Sequence, residues 1–306
     1  MGTALVIGEA LVDVVRRTDG TVDSHPGGSP ANVAIGLARL GRDVELLTWL
    51  GADAHGSAVR AHLEASGVRL APGSESAPRT SVATATLDAT GAATYDFDLT
   101  WEVAGDAAPT TEPVVVHTGS IAAVIEPGGA DVARLLEAAR AHATVTYDPN
   151  ARPALMGDPE HARAIVEGIV ATADVVKVSD EDISWLTGGA DVDAIARGWA
   201  GTGPALVVVT RGGDGATAFV ADGREISVPA PSVEVADTVG AGDSFMGGLI
   251  DGLWGADLLG ASRREALHAV DDATVTAVLE RCARIGAITV SRPGANPPSS
   301  AELGEG

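Results

Sequence analysis

The amino-acid sequence predicts an α/β fold: a doubly wound, mainly parallel sheet flanked by helices, with a small β lid. Three observations point to it. Short β-branched runs recur at 4–7, 44–48, 114–116, 144–147, 175–178 and 206–209, each with the length and composition of a buried strand. Most are separated by Ala-, Leu- and Arg-rich stretches with helical apolar spacing, the rhythm of strands joined by crossover helices. Two extended pairs break that rhythm, because neither fits between helices.

The 4–7 run is wholly apolar, as a strand covered on both faces must be, and Glu9 and Asp13 follow it. Asp19-Gly20 then marks a turn between extended segments. Gly27-Gly28-Ser29-Pro30-Ala31-Asn32 opens a helix that ends near Gly41, with Ser29 suited to the N-cap, Pro30 to the first helical position and Gly41 to the C-cap. After the 44–48 strand, segments 81–87 and 92–97 form a hairpin across Thr90-Gly91. Together with the Asp19-Gly20 pair it makes a lid of roughly 10–26 and 80–100. The 144–147 run is followed by Asp148, Asn150 and Arg152, and the 175–178 run by Ser179, a good cap for a helix starting near Asp180. Thr210, Arg211 and glycines 212, 213 and 215 follow the 206–209 run. Late in the chain, 237–244 is glycine-rich and runs into the apolar helix start 245–250. Cys282 sits in the helical pattern Val278-Leu279-Cys282-Ile285 and reads as a small buried residue. The tail 296–306 reads as mobile. No repeat or block of like charge divides the chain, so 1–306 is expected to be a single domain.

Lysine and arginine total 20 against 42 Asp and Glu, a net charge of −22 that repels phosphodiesters and anionic lipid; neither nucleic acid nor membrane is an expected partner. Apolar stretches such as 205–209 fall far short of the ~18 residues of a spanning helix, and no basic start with an apolar segment opens the chain. A soluble, cytoplasmic protein is expected. The 7 histidines show no ligand spacing.

In open parallel sheets ligands collect beyond the carboxyl ends of the strands, and here those positions are polar. Taken singly each is an ordinary turn former or cap; their convergence on one sheet edge is the signal. Asn32 is out of place in a helix and can offer a polyol both a donor and an acceptor. Small residues at 240–242 let successive amides face one spot at a helix start, an anion site, and Asp243 beside it is placed to take a hydroxyl proton from an attacking nucleophile. A dinucleotide fingerprint fails because Phe245 takes the third glycine position, and no P-loop motif occurs. Gly242-Asp243-Ser244 also looks like the start of one esterase group, but it lies late in the chain and lacks that group's Asp-x-x-His.

Gly27-Gly28-Ser29-Pro30-Ala31-Asn32-Val33-Ala34 and Asp237-Thr238-Val239-Gly240-Ala241-Gly242-Asp243-Ser244-Phe245 resemble the two signatures of the ribokinase, or PfkB, family of carbohydrate kinases. Gly8-Glu9-Ala10-Leu11-Val12-Asp13, Tyr147-Asp148-Pro149-Asn150-Ala151-Arg152-Pro153 and Lys177-Val178-Ser179-Asp180-Glu181-Asp182 are most similar to its bacterial fructokinase branch. The resemblance implies a ribokinase-like fold and an ATP-dependent kinase acting on a primary hydroxyl, with fructose 6-phosphate as the favoured product. By the same resemblance Asp13, Gly27, Gly28 and Asn32 bind the sugar, and Tyr95 and Phe97 cover it. Asp243 is the base, the amides of Gly240, Ala241 and Gly242 stabilise the phosphoryl group, and Arg152 contacts sugar or γ-phosphate. Lys177, Ser179, Thr210, Gly212 and Gly215 serve the nucleotide, with 287–295 near the adenine. ATP, Mg²⁺ and K⁺ are the implied cofactors, Asp237 and the Val239 carbonyl being the K⁺ ligands. A homodimer through the lid is the implied assembly. Where many relatives have Asn-x-x-Glu this chain has Ser179 and Asp182, so a Mg²⁺ contact by Asp182 is expected through water. The rival substrate, 2-keto-3-deoxygluconate, needs a cation from Arg152 or Arg79; a non-catalytic sugar binder has little use for Asp243.

Overall fold

A computed structural model describes residues 2–88, 93–105 and 107–305. The chain runs through β1 (Thr3–Ile7), β2 (Leu11–Arg16), β3 (Val22–Gly27), α1 (Ser29–Arg39), β4 (Asp43–Leu47), α2 (Ala54–Ala65), β5 (Arg69–Leu70), β6 (Val82–Leu87) and β7 (Ala93–Asp98). Strands and helices then alternate: β8 (Val115–Gly119), a 3-10 turn (Ser120–Ala123), α3 (Gly128–Ala139), β9 (Thr144–Asp148), α4 (Pro153–Met156), α5 (Pro159–Val170), β10 (Val175–Ser179), α6 (Asp180–Thr187), α7 (Val192–Ala200) and β11 (Leu206–Thr210). β12 (Ala216–Val220), β13 (Glu225–Val228), α8 (Ala241–Gly255), α9 (Arg264–His268) and α10 (Asp272–Val290) complete it.

The main sheet has 9 strands in the order β13-β12-β11-β10-β9-β8-β1-β4-β5, parallel except where β12 and β13 fold back at one edge. These two strands have no counterpart among the runs read from the sequence: 216–220 and 225–228 are short and carry alanine, serine and glutamate among their strand formers, so neither makes a continuous β-branched run. β1 lies between β4 and β8, so the chain winds away from it in both directions and the loops beyond β1, β8 and β9 open at the switch point. Side chains alternate between two cores. Ala4, Val6, Leu206 and Val208 pack toward α1, α8 and α10, whereas Leu5, Ile7, Val207 and Val209 pack toward α3, α5, α6 and α7. Buried Cys282 belongs to the first core, where burial pushes its thiol up and leaves it inert.

The predicted lid is a separate 4-stranded sheet, β3-β2-β6-β7, with β2 and β6 parallel at its centre. The turn expected at Thr90-Gly91 lies outside the described residues. The tail differs from expectation. Arg39 reaches Asn296 Oδ1 at 2.6 Å and the Pro297 carbonyl at 2.8 Å, and Arg281 and Arg284 both pair with Glu305 at 2.8 Å, so polar composition there supplies anchors. Among the described residues no helix is long and apolar enough to cross a membrane.

Candidate active site

Two cavities meet at the start of α8. One, of about 450 Å³, is walled by Glu9, Asp13, Asn32, Phe97, Arg152 and Asp243 among others; the other, of about 830 Å³, runs past Lys177, Thr210 and Gly215 to Ala287 and Val290. Asn150, Arg152, Thr238, Ala241 and Gly242 line both.

Asp243 is buried at the seam. Its Oδ1 accepts from Ser29 Oγ at 2.7 Å and Asn150 Nδ2 at 3.1 Å, and its Oδ2 accepts from Asn32 Nδ2 at 2.8 Å. A carboxylate oxygen has two lone pairs, so Oδ1 is filled and Oδ2 keeps one for a further donor. Ser29 was expected to cap α1. Gly28 holds that position instead, at φ 108°, where a Cβ would strike the Glu9 carbonyl. The Ser29 hydroxyl is thereby released to the carboxylate. Asn150 sits at φ 37°, and Arg152 Nη1 donates to its carbonyl at 3.0 Å and its Oδ1 at 2.7 Å, fixing which way the amide faces.

Gly240 caps α8 at φ 75°. Among the described residues the amides of Gly240 and Gly242 have no acceptor, while that of Ala241 makes a long bond of 3.3 Å to the Thr238 carbonyl. Beneath this helix start lie two buried groups, Lys177 and Asp148, paired at 2.8 Å, with Lys177 Nζ also donating to the Gly242 carbonyl at 3.3 Å. Burial pushes Asp148 up to about 6 against the pull of Lys177. For Lys177 burial is the largest single influence and acts downward, but contact with Asp148 and the charges of Asp182 and Asp243 together outweigh it, so the ammonium is held above its ordinary value.

In the smaller cavity burial pushes Glu9 up to about 7; its carboxylate accepts from the Ala122 amide at 3.2 Å and bonds Ser120, which stands at φ 56°. Asp13 is open to the cavity yet enclosed by its walls, which raise it while Arg152 and His25 pull the other way. Gly27 is outside the lining and acts by its size, since a Cβ there would fall on the Asp13 carboxylate.

Other expectations sort as follows. Gly28, Asn32, Phe97 and Arg152 come together in the smaller cavity, and Lys177, Ser179, Thr210, Gly212 and Gly215 in the larger. Tyr95 does not join them. It stacks on Phe97 at 6.0 Å but is 62% exposed and stands outside the cavity, because a residue two places along β7 is carried past the rim. Arg79 is likewise outside, paired with Asp98 on the exposed root of the lid. Asp182 borders the larger cavity with both oxygens engaged, by the Ala151 amide at 2.8 Å and the Ser179 amide at 3.2 Å, in a capping box with Ser179. Asp237 ties the amides of Val239 at 3.0 Å and Gly294 at 2.9 Å, and these bonds hold its carboxyl low. Glu9, Asp148 and Asn150 stood out in the sequence only as polar residues beyond strands; Ser120 carried no signal at all.

A family model for pfkB family carbohydrate kinases matches residues 1–302. The chain is 36% identical over 265 residues to a fructokinase from Klebsiella pneumoniae, covering 82% of this chain and 84% of that one. Its fold superposes on a fructokinase with bound ATP from Xylella fastidiosa with a TM-score of 0.83 at 25% identity, over 99% of this chain and 97% of that one. A double-mutant fructokinase from Vibrio cholerae O395, in a form with fructose, ADP and potassium ion bound, superposes with a TM-score of 0.78 at 26% identity, over 99% and 98%.

Proposed function

This chain belongs to the pfkB family of carbohydrate kinases, and from that premise we propose that it transfers the γ-phosphoryl group of ATP to the 6-hydroxyl of fructose. The observation that carries the reading is the one open acceptor position on Asp243, at the seam of a sugar-sized and a nucleotide-sized cavity. Asp13, Asn32 and the backbone at Gly28 bind sugar hydroxyls in the smaller cavity, with Phe97 of the lid closing over them and excluding water. Asp243 Oδ2 takes the hydroxyl proton as the oxygen attacks phosphorus. The amides at the start of α8 receive the charge that develops on the phosphoryl oxygens, and Arg152, bordering both cavities, orients that group. Thr210, Gly212 and Gly215 line the nucleotide, with Ala287 and Val290 at its far end.

Asp182, with both oxygens engaged, would hold Mg²⁺ of the ATP complex only through water, and the ion would supply charge that shields the phosphates. Asp237 and the Val239 carbonyl would hold K⁺, which would supply positive charge beside the anion site. Cavity charge favours a neutral sugar over the keto acid: the smaller cavity is lined by Glu9, Asp13 and Asp243 against Arg152. The whole chain acts as one kinase unit in the cytoplasm. It pairs with a second copy through the lid, where Tyr95 at 62% and Val22 at 55% exposure sit on the edge strands.

The test is ADP release by purified protein with Mg-ATP against fructose, 2-keto-3-deoxygluconate, ribose and adenosine, with and without K⁺. Turnover with fructose is the expected result. Turnover confined to the keto acid overturns the charge argument, and silence across the panel overturns the acceptor assignment.

A further inference from the structure

We propose that Asp148 is a positioning residue for phosphoryl transfer: buried beside Lys177 beneath the first turn of α8, it fixes one ammonium charge below the point where the phosphoryl group passes between the two cavities. The inference rests on the kinase reading.

Asp148 ends β9 and Lys177 lies within β10, the neighbouring parallel strand, so the sheet itself sets the two side by side. Both are cut off from solvent, at 0% and 3% side-chain exposure, and their 2.8 Å contact is an ion pair held by charge more than by alignment. Among the described residues Asp148 Oδ1 has no hydrogen-bond donor, so the carboxylate is committed to Lys177. The ammonium in turn donates to the carbonyl of Gly242, the residue before the proposed base, and fills the space where a Cβ of residue 242 would lie, 2.9 Å away. Lys177 is itself part of the wall of the larger cavity. An ammonium has three N–H donors, and at least one remains for that cavity beside the Asp148 ion pair and the bond to Gly242. For stability alone two apolar side chains would serve as well as a buried ion pair. A charge kept there at that cost sits where anionic phosphate gains from it. The charged and titratable groups facing Lys177 are Asp148 from β9, Asp182 from α6, Asp243 from α8 and His117 from β8, the last kept neutral by burial and by Lys177 itself. Of the three carboxylates, Asp148 is the one in direct contact.

The experiment is calorimetric titration of Mg-ATP, without sugar, into the parent, Asp148→Asn, Lys177→Met and the double variant from about pH 7 to about pH 9.5, with circular dichroism to verify folding. The parent is expected to bind evenly across the range, and Lys177→Met to bind on the order of tenfold more weakly at every pH. Asp148→Asn should resemble the parent at the low end and approach Lys177→Met at the high end, because a buried lysine deprived of its contact carboxylate gives up its proton. The double variant should match Lys177→Met throughout. A folded Asp148→Asn protein that binds like the parent at every pH overturns the proposal, and so does a double variant weaker than Lys177→Met. Should Asp148→Asn alone not fold, the double variant, which buries no unpaired charge, decides by the same comparison. The outcome does not depend on which sugar is phosphorylated; a parent that binds no Mg-ATP overturns the kinase reading as well.

Discussion

Asp243→Asn keeps the size of the side chain and removes its ability to take a proton. The amide has two orientations. With its oxygen in the place of Oδ1, the bonds from Ser29 and Asn150 survive and the new NH₂ faces Asn32 Nδ2, 2.8 Å from the old Oδ2. The reverse orientation sets the NH₂ against two donors, so the first prevails. Asn32 then turns its own amide over and withdraws its oxygen from the sugar cavity. Loss of a general base removes about 10²- to 10⁴-fold in rate, or roughly 3 to 5 kcal/mol of barrier. The lost Asn32 acceptor is worth about 1 kcal/mol, roughly fivefold in sugar KM. Steady-state ADP release over a matrix of fructose and Mg-ATP concentrations separates the two effects, and sugar calorimetry on the inactive variant checks the second. A kcat within tenfold of the parent would refute the assignment of Asp243 as base.

Phe97→Ala should raise sugar KM several-fold and Tyr95→Ala should leave it unchanged under conditions that keep the oligomeric state constant; equal effects would return Tyr95 to the sugar site. Gly215→Ala puts a Cβ on the Val228 carbonyl oxygen at a φ of 101°, and should lower the melting temperature by an amount equivalent to about 2 kcal/mol while raising KM for ATP more than for sugar. Burial holds Glu9 at about 7 against an ordinary 4.5, so the folded chain binds a proton the unfolded chain has released, and stability falls as pH rises between those values. Glu9→Gln should flatten that stretch of the stability curve and exceed the parent by up to ~3 kcal/mol at about pH 8 in urea unfolding; parallel curves would show that Glu9 titrates normally.

Much of the architecture is legible because burial on both faces forces continuous apolar strands, as at 4–7, and because Gly, Pro and Asn at 27–32 and 240–243 leave few conformations open. The losses have particular causes. Ser29 suits a helix cap equally well, and only the fold shows that Gly28 takes that place and frees the hydroxyl for a carboxylate far along the chain. Tyr95 and Phe97 share a face of β7, but where a strand passes the mouth of a cavity is a tertiary fact. Glu9 and Asp148 read as turn residues in the sequence, since nothing local reveals that a carboxyl beyond a strand is buried. The order of the tail is invisible in its own residues because its anchors, Arg39, Arg281 and Arg284, belong to helices elsewhere.

The donors to Asp243 come from α1 and from the loop after β9, up to 214 positions away in the chain. No short stretch of chain contains the site, so it exists only while several distant segments are docked at once. Local fraying that frees one of them disarms the carboxylate before the rest of the chain has opened. Where unfolding is all-or-none, the rate remaining in denaturant counts intact molecules, and a loss of turnover ahead of the spectroscopic transition would identify the segment that lets go first.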